Sequence, residues 1–193
     1  MRLRWAALLV YVAAIYASLP FGPRIGLPLL RTAPGGWLLG PGLVLATLAG
    51  AALLVVSLRR RHAPAWAYLA LGVAAIGYAV AFSSLRAARL ERTHLPEYGL
   101  VAFLAWRALE PIVPRTFAGY AAAAALGAAI GYGDELIQGA LPGRFYDLRD
   151  VGMNAVGALL GILVVAAARA GETRHKSVAP RASAEIATRS AAR

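Results

Sequence analysis

The feature that most limits the fold of this chain is a series of six apolar runs, separated by short basic or Pro/Gly-rich connectors. Apolar runs of about 20 residues are long enough to cross a lipid bilayer as helices. Only 15% of the residues are charged and the mean hydropathy is +0.62, whereas soluble domains carry about 25% charged residues. We therefore predict an all-α, polytopic transmembrane helix bundle of about six spans, at residues 5–21, 37–58, 65–85, 95–109, 116–136 and 151–168.

The first apolar run follows Arg2 and Arg4, as the apolar core of a secretory signal peptide would. The run continues to Pro20 without a cleavage site of the small-x-small type. We therefore expect this segment to remain in the protein as its first membrane helix.

The fourth run, residues 95–109, decides the topology, because as a helix it covers only about 22 Å and a bilayer core is thicker. If it does not cross, the chain has five spans, and His94 and Glu97 face the opposite solution from residues 134–150. If it crosses, both elements lie on the same side and can form one site. We favour six spans for this reason.

A formal net charge of +11 is typical of nucleic-acid-binding proteins, but the Arg residues lie in connectors and tails between apolar runs. That placement indicates membrane orientation and contact with anionic lipid, so we expect no nucleic-acid partner. With six spans, the Arg residues outside the tail divide equally between the two sides. The basic tail, residues 170–193, is predicted to be disordered. By the positive-inside rule it places both termini in the cytoplasm.

Polar residues are concentrated between the last two apolar runs. Asp134 and Glu135 end one run, and Gln138 lies four residues after Asp134, which places both on one helix face. Pro142 and Gly143 then break the helix. Ionisable groups at the edge of a membrane segment are costly to bury, so by default they indicate a functional site.

The pattern D-E-x-x-Q, then P-G-R, then D-x-x-D-x-x-x-N-x-x-G-x-x-x-G resembles the VanZ-like family of bacterial membrane proteins, as does an upstream H-x-x-E-Y element. The resemblance covers about residues 90–168. It implies a membrane domain of three spans at residues 86–169, after three further spans in residues 1–85. The founding member of the family is linked to resistance to glycopeptide antibiotics of the teicoplanin type, and no agreed biochemical activity comes with the fold. The candidate polar site taken from this pattern comprises His94, Glu97, Asp134, Glu135, Gln138, Arg144, Asp147, Asp150 and Asn154.

Several of these residues also have a purely structural explanation. Asp147 is placed to N-cap the last helix, with Asp150 in its first turn. Asp134 and Glu135 need a partner, and Arg144 is the nearest cation once the turn folds back. Such a pair is either a clamp that fixes the helical hairpin or part of an outward-facing pocket for a polar or charged ligand. The sequence leaves both explanations open.

Small residues predict how the last two spans pack. Gly127 with Gly131, and Gly157 with Gly161, each form a G-x-x-x-G face, and only a short turn joins the two spans. We expect the two faces to meet directly, with Asn154 donating across the interface.

Three classes of function fit the sequence. The first is a cell-envelope membrane protein that lowers susceptibility to glycopeptide antibiotics through an outward-facing polar site. The second is a membrane-embedded hydrolase or transferase acting on a lipid-linked envelope substrate, and the third is a small transporter. The chain has no cysteine, no H-E-x-x-H and no nucleophile elbow, so we expect no metal or cofactor and favour a non-enzymatic role. The expected partners are the lipid bilayer and a polar or lipid-linked envelope ligand or a glycopeptide.

Overall fold

A computed structural model describes residues 1–37, 42–84 and 93–170 of the chain. Within these ranges every regular element is a helix, which confirms the all-α prediction. The tail beyond residue 170, predicted to be disordered, lies outside the described residues. The helices are α1 (Arg2–Ser18), α2 (Gly22–Arg31), α3 (Ala33–Trp37), α4 (Leu43–Arg60), α5 (Ala65–Ser84), α6 (His94–Leu109), α7 (Phe117–Ala140) and α8 (Leu148–Arg169).

The long helices α1 and α4 to α8 run alternately in opposite directions, as contacts between their ends show. Arg4, near the start of α1, bonds to Glu110, just after α6. Leu58, near the end of α4, packs with Ala67 at the start of α5 and with Ala167 at the end of α8. We call the level of these five residues the basic end of the bundle.

The opposite level, here called the motif end, contains the start of α6 and the connector 141–147 between α7 and α8. Ala81, near the end of α5, packs with Leu95 at the start of α6. Tyr16, near the end of α1, donates from its hydroxyl to the carbonyl of Ile130 in α7 at 2.7 Å. The start of α6 and the polar connector therefore lie at the same end, as they must if residues 95–109 cross a membrane.

Two of the described helices are long and apolar enough to cross a membrane, one at residues 65–83 and the other α8. Helices α1 and α6, with 17 and 16 residues, are shorter than the roughly 20 residues of a typical span. The two apolar helices support a membrane location, and the number of spans remains a prediction.

The Pro/Gly-rich connector 22–36 follows the first apolar run, and its composition predicts a loop. It is instead mostly helical, so this prediction is wrong. Helix α2 has Pro23 at its second residue, where a missing N–H removes no helical hydrogen bond. Helix α3 begins where the Oγ1 of Thr32 accepts a hydrogen bond from the N–H of Gly35 at 3.1 Å. Pro23 and Pro34 lie in first turns, where the amides of any helix have no intrahelical partner, whereas Pro28 lies inside α2.

The glycine face of α7 contacts α8, as predicted. A Cβ added at Gly127 would lie 3.1 Å from the Cβ of Ala158, and one added at Gly131 would lie 2.6 Å from the Cβ of Asn154. Both distances are shorter than ordinary contacts between side chains, so glycine at these positions lets the two helices approach closely.

The glycine face of α8 contacts α6 instead of α7, which corrects the prediction that the two glycine faces meet. A Cβ at Gly157 would lie 2.7 Å from the carbonyl oxygen of Leu95, and one at Gly161 would lie 2.6 Å from the Cα of Gly99. The three helices α6, α7 and α8 thus pack against one another, and α8 contacts α6 through its glycines and α7 through the side chains of Asn154 and Ala158.

The bundle has an apolar exterior and a polar centre. On α4 and α5, Leu53 and Ile76 are 72% and 67% exposed. A soluble protein of this size rarely exposes a continuous apolar surface to water. Lipid tails can cover such a surface without an unfavourable change in free energy. The polar or charged residues that are fully or almost fully buried lie at the motif end: Asp134, Glu135, Gln138 and Asn154.

Candidate functional site

The buried polar cluster begins with three side chains on the inner face of α7. Asp134 and Glu135 have no exposed surface, and Gln138 has 3%. The spacing of three and four residues brings Gln138 next to both acids. Its Nε2 donates to Asp134 Oδ2 at 3.3 Å and to Glu135 Oε1 at 3.1 Å. The predicted common face of Asp134 and Gln138 is therefore confirmed.

A tight turn brings the start of α8 back to these carboxylates. The N–H of Arg144 donates to the carbonyl of Leu141, and Gly143 has a φ of +74°, as the third residue of a type II turn requires. The predicted break at Pro142 and Gly143 is confirmed. After the turn, the backbone N–H of Asp147 donates to Glu135 Oε2 at 3.3 Å.

Asp147 also caps α8, as predicted. Its Oδ1 accepts from the N–H of Arg149 at 2.8 Å, and Asp150 lies in the first turn. Asp147 thus links two helices. Its carboxylate accepts a hydrogen bond from a backbone N–H of α8, and its own backbone N–H donates to the Glu135 carboxylate of α7.

Helix α6 contributes His94 and Tyr98 to the cluster. His94 Nδ1 lies 3.8 Å from Asp134 Oδ2, beyond hydrogen-bond distance, and its ring is parallel to the ring of Tyr98. Glu97 is half-buried on the same turn, close enough to His94 and Asp134 to interact with their charges. The two sequence elements that carry the family pattern are therefore brought together.

Asn154 joins α8 to α7 at the inner boundary of the cluster. It is fully buried, and its Nδ2 donates to the carbonyl of Gly131 at 3.2 Å. The predicted hydrogen bond across the helix interface is confirmed, with a backbone carbonyl as the acceptor.

Arg144 does not pair with the carboxylates as expected, because the structure shows no ion pair from it to Asp134 or Glu135 within the described ranges. Glu135 is instead satisfied by an amide side chain and a backbone N–H. Arg144 remains partly exposed at the turn, where its charge acts on the half-buried carboxylate of Asp150.

Tyr98 belongs to the cluster, although it was not among the site residues taken from the sequence. It is fully buried, and its hydroxyl lies in the field of the Asp134 carboxylate. Its place in the H-x-x-E-Y element, one turn after His94, was the signal that could have assigned it.

Four polar atoms in the cluster are buried and have no hydrogen-bond partner in the described part of the chain. They are His94 Nδ1, Tyr98 Oη, Asp134 Oδ1 and Asn154 Oδ1. Buried polar groups in folded proteins are nearly always satisfied, and each exception needs a physical explanation. Three of the four are oxygens that can accept a hydrogen bond or coordinate a cation. No group of three or more His, Cys, Asp or Glu residues suited to holding a metal ion occurs among the described residues.

An acid at the basic end shows the opposite arrangement. Glu110 lies 2.8 Å from Arg4, forms an ion pair with Arg115 and lies 3.7 Å from Arg169. Burial alone would raise the pKa of Glu110, but the hydrogen bond from Arg115 and the charges of the three Arg residues lower it below its ordinary value. The bundle therefore neutralises this acid with Arg residues, whereas no Arg or Lys of the described ranges forms an ion pair with Asp134 or Glu135.

An apolar groove of about 320 Å³ opens between α4, α5, α6 and α8. Phe82, Phe103 and Val165 are among the residues that line it, together with Gly99 and Gly161. The groove lies along the glycine contact of α6 with α8, where small side chains leave space beside the close helix approach.

The fold and the cluster define an all-helical bundle of membrane type with a polar centre at one end. Residues 92–169 match the family model VanZ/LLP1. This segment contains α6, α7, α8 and every member of the cluster, so this part of the chain is a VanZ-like domain and the resemblance seen in the sequence is confirmed. None of the curated proteins and none of the solved structures compared with the chain matches it.

Proposed function

We propose that this chain is an integral membrane protein of the bacterial cell envelope, and that its polar cluster opens outward and lowers susceptibility to glycopeptide antibiotics of the teicoplanin type. The VanZ-like domain supports a membrane-associated protein of this family. The observation that carries the proposal is the approach of His94 Nδ1 to Asp134 Oδ2, at 3.8 Å, which makes one site of two distant sequence elements.

Six spans with both termini in the cytoplasm are part of this proposal. The alternating direction of the six long helices and their exposed apolar side chains support it. Basic residues at the level of Arg4, the connector 59–61 and Arg115 are the kind that remain on the cytoplasmic side. The motif end would then face outward.

Single cysteines test this topology, because the chain has no cysteine of its own. His62 and Ile112 lie in connectors at the basic end, and Thr93 and Phe145 lie at the motif end. A membrane-impermeant thiol reagent added to intact cells should label Thr93→Cys and Phe145→Cys but not His62→Cys or Ile112→Cys. Labelling of Phe145→Cys without Thr93→Cys would refute the six-span topology.

We propose that the cluster changes either the access of the antibiotic to its target at the cell surface or the way in which that target is presented. Glycopeptides act outside the cytoplasmic membrane, so an outward-facing polar cluster at the bilayer edge is placed to bind a polar or lipid-linked ligand there. The fully buried carboxylates support a binding role, because uncompensated charges at membrane depth are costly and mark functional positions.

A susceptibility profile tests the role. Cells with and without expression of the chain are compared across teicoplanin-type glycopeptides, other glycopeptides and unrelated envelope antibiotics. Expression should reduce susceptibility to the first group, and Glu135→Gln should abolish the reduction while the protein remains in the membrane. Glu110→Gln, which alters a mostly buried acid at the other end, is the matched control and should keep the effect. An unchanged profile on expression would refute the role.

One observation favours a second candidate, a membrane-embedded hydrolase or transferase acting on a lipid-linked envelope substrate. The imidazole of His94 lies beside a buried carboxylate, an arrangement that suits general acid–base chemistry. The apolar groove on the adjacent face has room for part of a lipid chain. Turnover of a lipid-linked substrate by the purified protein, lost in His94→Gln, would favour this candidate over a binding role.

A further inference from the structure

The charges at the motif end are unequally compensated. Glu135 accepts from Gln138 Nε2 at 3.1 Å and from the N–H of Asp147 at 3.3 Å, so both of its oxygens have donors. Asp134 receives the longer bond from the same amide, at 3.3 Å, the Tyr98 hydroxyl lies close enough to interact with it, and His94 is 3.8 Å away. Because a buried carboxylate without a close cation is costly, Asp134 is the group that most needs a further positive partner.

Three buried oxygens at the motif end lack a hydrogen bond of normal geometry, and one of them belongs to this carboxylate. Asp134 Oδ1, Tyr98 Oη and Asn154 Oδ1 are buried and have no hydrogen-bond partner among the residues that the structure describes. They come from α7, α6 and α8, the three helices of the VanZ-like domain. A Cβ at Gly131 would lie 3.1 Å from the ring of Tyr98 and 2.6 Å from Asn154 Cβ, so both side chains converge on the helix turn that precedes Asp134.

We infer that this cluster binds a small monovalent cation, such as Na⁺, through Asp134, Tyr98 and Asn154. Carboxylate and amide oxygens are the ligands that hard cations prefer. A single charge is indicated because Asp134 is the only carboxylate among the three ligands. A small ion is indicated because all three side chains are fully buried. The inference rests on the proposed function in one respect, since the ion would enter from the side to which the cluster opens.

The partly exposed His94 marks the entrance. Its side chain is 16% exposed, whereas Asp134 beyond it has no exposed surface. The imidazole therefore lies between solvent and the carboxylate. Sequence spacing could not indicate such a site, because each of its oxygen ligands is on a different helix.

Equilibrium binding of radioactive Na⁺ to the purified full chain tests the inference. The protein is kept in detergent at constant pH, and choline chloride holds the ionic strength constant. One Na⁺ per chain should bind saturably. Asp134→Asn should abolish binding, and Tyr98→Phe, which removes only the hydroxyl, should weaken it about tenfold or more. Glu110→Gln at the basic end should bind as the unmodified chain does.

The absence of saturable binding by the unmodified chain would overturn the inference, and this measurement does not depend on any variant folding. Equal binding by the unmodified chain and by correctly folded Asp134→Asn would overturn it as well. The result is independent of the susceptibility profile. Binding without a change in susceptibility would refute the proposed function alone, and a change in susceptibility without binding would refute the cation site alone.

Discussion

Replacing Gly161 by Ala should disrupt the contact between α8 and α6, whereas the same change at Gly152 should not. A Cβ at Gly161 would lie 2.6 Å from both the Cα and the carbonyl oxygen of Gly99, about 0.8 Å inside the 3.4 Å at which ordinary contact begins. These are backbone atoms and cannot rotate away, so α6 as a whole must shift. A Cβ at Gly152 meets nothing within 4 Å.

The pair of variants isolates the cost of the contact. Both replacements gain the same preference of Ala over Gly for helix, up to about 1 kcal/mol, so this gain cancels in the difference. Overpacking costs about 1–3 kcal/mol, and contact with rigid backbone places Gly161→Ala at the upper limit. We therefore expect Gly161→Ala to be about 3 kcal/mol less stable than Gly152→Ala.

Unfolding of the purified chain in mixed detergent measures this difference. Tryptophan fluorescence should report separation of the helices as the denaturing detergent is increased, in a variant in which Trp5, Trp37 and Trp66 are replaced by Phe so that only Trp106, buried in α6, emits. Equal midpoints for Gly161→Ala and Gly152→Ala would refute the packing of α6 on α8 described above. A Gly152→Ala variant that is itself strongly destabilised would show that the exposed face of α8 is covered by something else.

The remaining predictions concern charges and caps. Arg144→Ala should change the free energy of unfolding by only about 0–1 kcal/mol, because the arginine is partly exposed and holds neither buried carboxylate. Asp147→Ala should cost about 0.5–2 kcal/mol by removing the cap of α8, and Asp147→Asn should restore most of it in thermal unfolding. The folded pKa of Glu110 is lowered, so its stabilising effect is present above its ordinary pKa of 4.5 and is lost as the pH falls through the lower folded value. The stability difference between the unmodified chain and Glu110→Gln should therefore disappear in acid.

Local spacing predicted the parts of the site that depend on one helix or one turn. The face shared by Asp134 and Gln138, the break at Gly143 and the cap at Asp147 all follow from helical period and from the chemistry of short polar side chains. The membrane class followed from the apolar runs. Each of these inferences needs only residues close together in sequence.

Packing between helices could not be predicted in the same way. The glycine face of α8 has two neighbours, and nothing in the spacing of Gly157 and Gly161 tells which of them it meets. It meets α6, whose short apolar run looked like the weakest span. Arg144 was the nearest cation in sequence to the acids, but the turn directs the backbone N–H of Asp147 to Glu135 and leaves the guanidinium outside. Proximity along the chain did not predict proximity of the charged groups.

The contrast between the two ends of the bundle bears on whether the acidic motif is a clamp or a binding site. At the basic end, Glu110 has three Arg residues and joins α1, the α6–α7 connector and α8, as a structural clamp should. At the motif end, Arg144 lies three residues before Asp147, but within the described ranges it forms no ion pair with Asp134 or Glu135. A clamp gains its stability by pairing the charges it buries, and here the carboxylate of Asp134 stays buried and poorly compensated beside two other unsatisfied oxygens. Retaining such a group lowers the stability of the fold, and this cost supports the binding site proposed above rather than a clamp.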